Sequence, residues 1–368
     1  MAFSFSFAGD DIEEDHQAPA PLPQKGTLAA GPSPSSAGAF PVQGKPLLPP
    51  THHDLQDLLS RLPSKIAFGL LSVDLGDGNI VQLPRRELWD VRVQLMAEEN
   101  TDNSSESEAG LGEHDVKTGI YEGGFKSWES SVDLVKVLAS EKVTDLLMQE
   151  SCVLIELGCG TALPSLALFQ WALRESKSEQ KRPLVLTLAD YNPSVLYLVT
   201  LPNLILAWAL QQRKNNAVLE GAFTPDEELE LTPEVLEAFR QSLSSNQITL
   251  SFLSGAWSSE FVDLLYRSAI PANLPDTTKT LLLGSETIYS PFALESFSST
   301  LLSILQRERR ERSNGEVRAL IAAKRLYFGV GGSLDDFVDK MRGLGTSVRT
   351  LFEETQGVHR GVVECLFS

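Results

Sequence analysis

Five short apolar runs, each closed by turn-forming residues and most of them separated by helical patterns, constrain this chain more than any other feature. They are CVLIEL at 152–157, LVLTLAD at 184–190, ITLSFL at 248–253, TLLLGSE at 280–286 and RALIAAK at 318–324. Runs of this kind suit strands buried on both faces, and such strands build parallel sheets covered by helices. Two further candidates, SVRTLFEE at 347–354 and GVVECLFS at 361–368, end the chain as a turnback. The expectation is an α/β fold. Its core is a doubly wound, seven-stranded, mostly parallel sheet with an N-terminal extension.

The rest of the chain attaches to that sheet. Nine of the 20 prolines fall within residues 1–50, among Gly, Ser and Ala, which reads as a disordered tail. Residues 51–118 read as an accessory segment, with RRELWDVRVQLMAE as a layer and the acidic stretch 98–115 as a loop. Residues 119–368 carry the sheet. An amphipathic helix fits 127–140, with Ser127 as its N-cap and Val132, Val135, Leu138 and Ala139 on one face. An acidic insertion at 214–243, PDEELELTPEVLEAFRQSL at its centre, reads as helical.

Several classes are disfavoured. No run of eighteen apolar residues is present and the first residues lack a basic, then apolar, leader, so neither a membrane span nor a signal peptide is expected. Cys152, Cys159 and Cys365 are spaced for neither a disulfide framework nor zinc, and the five histidines are scattered. A reduced, metal-free protein of the cytoplasm or nucleus is expected. The net charge of −18 disfavours bare nucleic acid and favours a basic partner.

In open α/β sheets, ligands bind beyond the carboxyl ends of the strands, at the switch point. The first run ends in Glu156, Leu157, Gly158, Cys159 and Gly160, then Thr161, Ala162, Leu163 and Pro164. Glycines serve where backbone turns sharply against a ligand, although a tight turn before a helix uses them too. The dinucleotide pattern G-x-G-x-x-G is broken by Leu163. The second run ends in Asp190, Tyr191 and Asn192, where a carboxylate can accept from both hydroxyls of a ribose or cap a helix opened by Asn192-Pro193. Trp257, after the third run, either stacks on a ligand or packs in the core. Ser285, Glu286, Thr287 and Tyr289 follow the fourth run, beside a buried LLL stretch.

The ELGCG turn resembles the first motif of methyltransferases that use S-adenosylmethionine, many of which have a third glycine where this chain has Ala162. GIYEGGFKSWE at 119–129, ELGCGTALPS at 156–165, DYNPSVLYLVTLPN at 190–203, SETIY at 285–289 and AAKRLYFGVGGS at 322–333 narrow it further. Together, over roughly residues 85–368, they resemble eukaryotic protein-histidine methyltransferases that modify large-subunit ribosomal protein three. That resemblance implies a Rossmann-like class I methyltransferase sheet and transfer of a methyl group from S-adenosylmethionine to histidine Nτ. It implies that Lys126, Trp128 and Glu129 close over the methionine end of the cofactor, with Glu156, Gly158, Cys159, Gly160, Asp190, Tyr191, Asn192, Trp257 and Ser285 around the rest. In that fold the 285–289 loop faces the transferring methyl group. Glu286 is the candidate for selecting the imidazole tautomer, with Tyr289 as a packing wall. The Gly329, Gly331 and Gly332 loop falls near the substrate cleft. A monomer acting on a basic protein without touching nucleic acid or membrane is expected. Two alternatives stay open: a lysine methyltransferase of the same structural group, and a catalytically silent module binding ribosomal precursors.

Overall fold

The computed structural model describes residues 41, 44, 46–76, 78–101, 123–175 and 181–367. The expected tail up to residue 40, residues 102–115 of the acidic loop and the Gly119–Glu122 end of the GIYEGGF motif lie outside them.

Each of the seven expected strands is present within one residue of its expected bounds. In chain order they are β4 (Cys152–Leu157), β5 (Leu184–Asp190), β7 (Ile248–Ser254), β8 (Lys279–Ser285), β9 (Val317–Lys324), β10 (Thr346–Glu354) and β11 (Arg360–Phe367). An eighth strand, β1 (Thr51–His53), pairs antiparallel with β7, and the sheet runs β1-β7-β5-β4-β8-β9-β11-β10. The seven-stranded expectation is thus corrected to eight. Three residues reading Thr-His-His carry no apolar signature, and only pairing with Ser254, Leu253 and Phe252 makes them a strand.

Strands β7, β5, β4, β8 and β9 are mutually parallel, while β11 inserts antiparallel between β9 and β10. Every residue of β4 and β5 is buried. Alternate side chains feed two cores: Cys152 and Leu154 point to one face, Val153, Ile155 and Leu157 to the other. Sequence periodicity of two is therefore present but invisible as polarity, because neither face meets water. Chain order reverses at β4, with β5 on one side and β8 on the other. The carboxyl end of β4 is the switch point.

A second, three-stranded sheet was not foreseen. Strand β2 (Lys65–Gly76) lies between β3 (Asn79–Arg86) and β6 (Glu228–Glu230), all antiparallel. The region expected as a helical insertion thus contributes both β6 and a helix, Pro233–Ser245, whose Thr232 hydroxyl caps Val235 N–H at 3.3 Å. Strand β6 escapes a reading by pattern because its three residues, Glu-Leu-Glu, look like acidic coil until paired with Lys65–Ala67. The helix expected at 127–140 spans Glu129–Ser140 with Trp128 at the N-cap. Ser127 does not cap it. Its hydroxyl is instead 3.0 Å from Thr161 Oγ1, on the glycine loop. Helix Pro193–Gln212 has the length and hydropathy of a membrane span, but 89% of that window is buried inside the protein. It is a core helix under the sheet.

Residues 46–50, expected to belong to the tail, lie against the sheet. Leu48 N–H donates to the Tyr191 hydroxyl at 3.1 Å, and Ala256 N–H donates to Leu48 O at 2.9 Å. His53 Nε2 is 2.7 Å from Ser254 Oγ. Deleting residues 1–53 should therefore lower the melting temperature by roughly 5 °C, since a loss of 1 kcal/mol costs about 2–4 °C in a domain of this order. Melting by circular dichroism checks this, and an unchanged midpoint would show that the strap contributes no stability.

Candidate functional site

The carboxyl end of β4 opens into a cleft enclosing about 1000 Å³, part of it open to solvent. Its floor is the turn after β4. Gly158, Gly160 and Ala162 all take left-handed backbone, with φ of 69°, 52° and 59°. A Cβ on Gly158 would lie 2.5 Å from Thr287 Cγ2. One on Gly160 would lie 3.0 Å from Gly124 O, so two glycines from distant segments touch backbone to backbone. Ala162 adopts the same region with a side chain, at a cost of roughly 1–2 kcal/mol.

Asp190, at the end of β5, holds this turn. Its Oδ2 accepts Gly160 N–H and its Oδ1 accepts Asn192 N–H, each at 3.0 Å. Burial pushes its carboxyl up to about 6, opposed by those backbone donors. Asn192 caps helix Pro193–Gln212, its Oδ1 accepting Ser194 N–H at 2.9 Å. Of the two roles weighed for this segment, the cap belongs to Asn192, and Asp190 lines the cleft.

Lys126, Trp128, Gly158, Cys159, Gly160, Asp190, Tyr191, Asn192, Trp257, Ser285, Glu286 and Tyr289 all line the cleft. Trp257 packs edge-on against Phe297, with ring centroids 5.3 Å apart, and also borders the cleft. The Lys324 ammonium stands 5.6 Å from the Trp128 ring centroid. Tyr289 is half-buried, and desolvation raises its phenol pKa above the usual range.

Glu129 and Glu156 stand outside the lining. Glu129 begins its helix, half-buried. Glu156 turns away, and its Oε2 accepts Ser165 N–H at 3.1 Å in the first turn of helix Leu163–Glu175. Among the described residues, no group bonds its Oε1.

Glu286 has the most constrained environment. It is buried, has φ of 58°, and its N–H donates to Ala322 O at 3.0 Å. Ser130 Oγ donates to its Oε1 and Tyr327 Oη to its Oε2. Burial raises its pKa, while Ser130, Tyr327 and Lys324 oppose the rise. A non-glycine residue held left-handed at a strand end is a strained position of the kind found at functional sites. The KRLYFGVGG loop is tied to the same corner, with Gly332 N–H donating to Tyr289 O at 3.0 Å.

Sequence reasoning missed Ser130, Tyr327 and the wall formed by Pro41 and Leu47. Tyr327 sat inside a motif already singled out. Leu47 had no signal, because nothing in a Pro-rich stretch marks one leucine as packed.

The burial of Glu156 yields a prediction. Burial pushes its carboxyl from an ordinary 4.5 up to about 8. A raised acid favours the folded state while protonated, so this contribution is present below about pH 4.5 and is lost as pH rises through about 8. Glu156→Gln should match wild type in melting near pH 5 and exceed it by several degrees at pH 8.5. Parallel melts at both pH values decide this, and a variant less stable at pH 8.5 would contradict it.

No protein-family model matches the chain. Over 357 residues it is 35% identical to Histidine protein methyltransferase 1 of Saccharomyces cerevisiae, covering 92% of this chain and 89% of that protein. It is 34% identical to the Schizosaccharomyces pombe protein of the same name, over 84% of this chain and 83% of that one. Among solved structures, the rRNA methyltransferase aviRa from Streptomyces viridochromogenes aligns with a TM-score of 0.34 and 12% identity, over 72% of this chain and 94% of that one.

Proposed function

Since the chain belongs to the histidine protein methyltransferase 1 family, we propose that it transfers the methyl group of S-adenosylmethionine to the Nτ nitrogen of a histidine in a protein. What carries this reading is the meeting, in one cleft, of the left-handed glycine turn, the Asp190 carboxylate and the buried Glu286.

The residues fit the cofactor. Gly158 and Gly160 leave a cradle that a Cβ would fill. A carboxylate offers about four acceptor positions, and backbone N–H groups occupy only part of those on Asp190, leaving acceptors for a ribose diol. Thr287 Oγ1 and Trp257 Nε1 are buried polar atoms without a partner among the described residues, and both residues line the cleft. Lys126 and Trp128 stand on the wall contributed by the 123–129 segment. When bound, S-adenosylmethionine supplies an already activated methyl group.

The protein's own task is then alignment and tautomer choice. A neutral imidazole is a competent nucleophile near neutral pH, its free pKa being about 6.5. Attack from Nτ requires the proton on the other ring nitrogen, Nδ1. In this reading Glu286 accepts that proton's hydrogen bond, supported by Ser130 and Tyr327, which hold its two oxygens. The same carboxylate stabilises the imidazolium that forms. Tyr289 and Phe292 line the cleft beside it and help exclude water. Leu326, Phe328 and Val330 are exposed on the loop rooted at Tyr327, Phe328 at 79%, which supports a polypeptide rather than a small molecule as substrate.

The net charge of −18 supports a basic protein substrate. The family resemblance adds a large-subunit ribosomal protein, met in the cytoplasm and nucleus by a monomeric enzyme without direct nucleic-acid contact. In single-turnover transfer to a protein substrate, Glu286→Gln should bind S-adenosylmethionine like wild type yet react about 10²–10³ times more slowly, the usual loss when a preorganised charge is removed. Mass spectrometry locates the product. Near-wild-type transfer would remove Glu286 from the mechanism, and methyl-lysine as product would remove histidine.

A further inference from the structure

The accessory sheet and the cofactor turn meet through one buried helix. Helix Pro193–Gln212 winds as a π-helix over Leu196–Thr200. Such wide turns displace side chains from regular α register and recur at functional sites. Here the wide turn ends at Thr200, whose hydroxyl donates to Gly160 O at 2.7 Å. The Cys159 sulfur lies 3.7 Å from the same hydroxyl oxygen. One residue of the next turn, Asn203, donates from Nδ2 to Thr161 O at 3.0 Å. Both side chains are fully buried and neither lines the cleft.

The other side of Asn203 faces the accessory sheet. Its Oδ1 accepts the backbone N–H of Arg86, the last residue of β3, at 2.7 Å. The Arg86 side chain is itself fully buried. Nη1 donates to Leu198 O at 2.9 Å, within the π-helical turn, and to Gln94 Oε1 at 2.8 Å. Nε pairs with Asp90 at 2.6 Å. Leu198 lies in the widened turn, where α-type pairing of backbone groups is interrupted, and an arginine from another sheet supplies a donor there.

Taken with the Asp190 bond to Gly160 N–H, both peptide groups of Gly160 are fixed, one from β5 and one from the helix. The next carbonyl, at Thr161, is fixed by Asn203. A left-handed glycine has wide conformational freedom, so the orientation of its peptides depends on such partners.

We propose that Thr200 and Asn203 are positioning residues that set cofactor affinity from outside the cleft by fixing the cofactor turn, with Asn203 also tying that turn to the accessory sheet through the Arg86 backbone. The inference rests on the cofactor reading above. It assigns a task to the RRELW segment that the catalytic proposal leaves unused.

The test is titration of S-adenosylmethionine by calorimetry into full-length wild type, Thr200→Val, Thr200→Ser and Thr200→Cys, alongside melting without cofactor. Valine keeps the shape and removes the donor. Serine keeps the donor, and cysteine donates only weakly. One buried hydrogen bond of ordinary strength corresponds to about a fivefold to tenfold change in affinity. The expected result is that loss for Thr200→Val, rescue by Thr200→Ser, and a midpoint without cofactor that does not follow the order of affinities. If Thr200→Val does not fold, Thr200→Cys against Thr200→Ser makes the same comparison. Equal affinities among folded variants overturn the proposal while leaving the cofactor reading intact. Affinities that only follow the midpoints would reduce Thr200 to a stability role and overturn it as well. A wild-type protein that does not bind S-adenosylmethionine overturns both.

Discussion

The turn at 158–162 is the constraint on which the site depends. Three of its five residues are left-handed, and one of them, Ala162, has a side chain that disfavours the conformation. The turn persists because it is held from several sides. Asp190 takes the Gly160 N–H, Thr200 the Gly160 carbonyl and Asn203 the Thr161 carbonyl, while Ser127 meets the Thr161 hydroxyl. Gly124 presses on it with bare backbone. These partners come from the parallel sheet, the core helix and the segment before the first central strand. A fault in any of them reaches the same few peptide groups.

Glu286 shows the same logic at the opposite wall. Its carboxylate is buried, strained and held by two hydroxyls, one from helix Glu129–Ser140 and one from the loop after β9. Burial that raises its pKa also makes it a stronger hydrogen-bond acceptor for a cation forming nearby, because the surrounding dielectric is low. Structure and proposed chemistry thus draw on one property, a carboxylate kept from water and from movement.

Much of this was legible in the sequence. The central strands were readable because burial on both faces leaves uninterrupted apolar runs, and Asp190 and Gly158 because they sit at the ends of those runs. Where an element depended on a partner far away in sequence, legibility failed. Strands β1 and β6 have three residues each and no apolar pattern of their own. Leu47 lines the cleft only because its neighbour Leu48 is held by Tyr191 and Ala256. Glu156 was drawn into the candidate set by its neighbours in the motif, yet strand alternation turns it away from the cleft and towards Ser165. Tyr327 and Ser130 were hidden for another reason: a hydroxyl acquires its role from the carboxylate it meets, and that meeting spans 41 residues in one case and 156 in the other.

The central claim is that this cleft places a methyl group on histidine in a protein. The most direct measurement is incubation of purified protein and tritiated S-adenosylmethionine with protein extract from cells lacking it, followed by acid hydrolysis and chromatography of the labelled amino acids. The account predicts label in τ-methylhistidine, lost when Asp190 is replaced by alanine. Label in methyl-lysine, or no transfer by a folded protein that binds the cofactor, would contradict it.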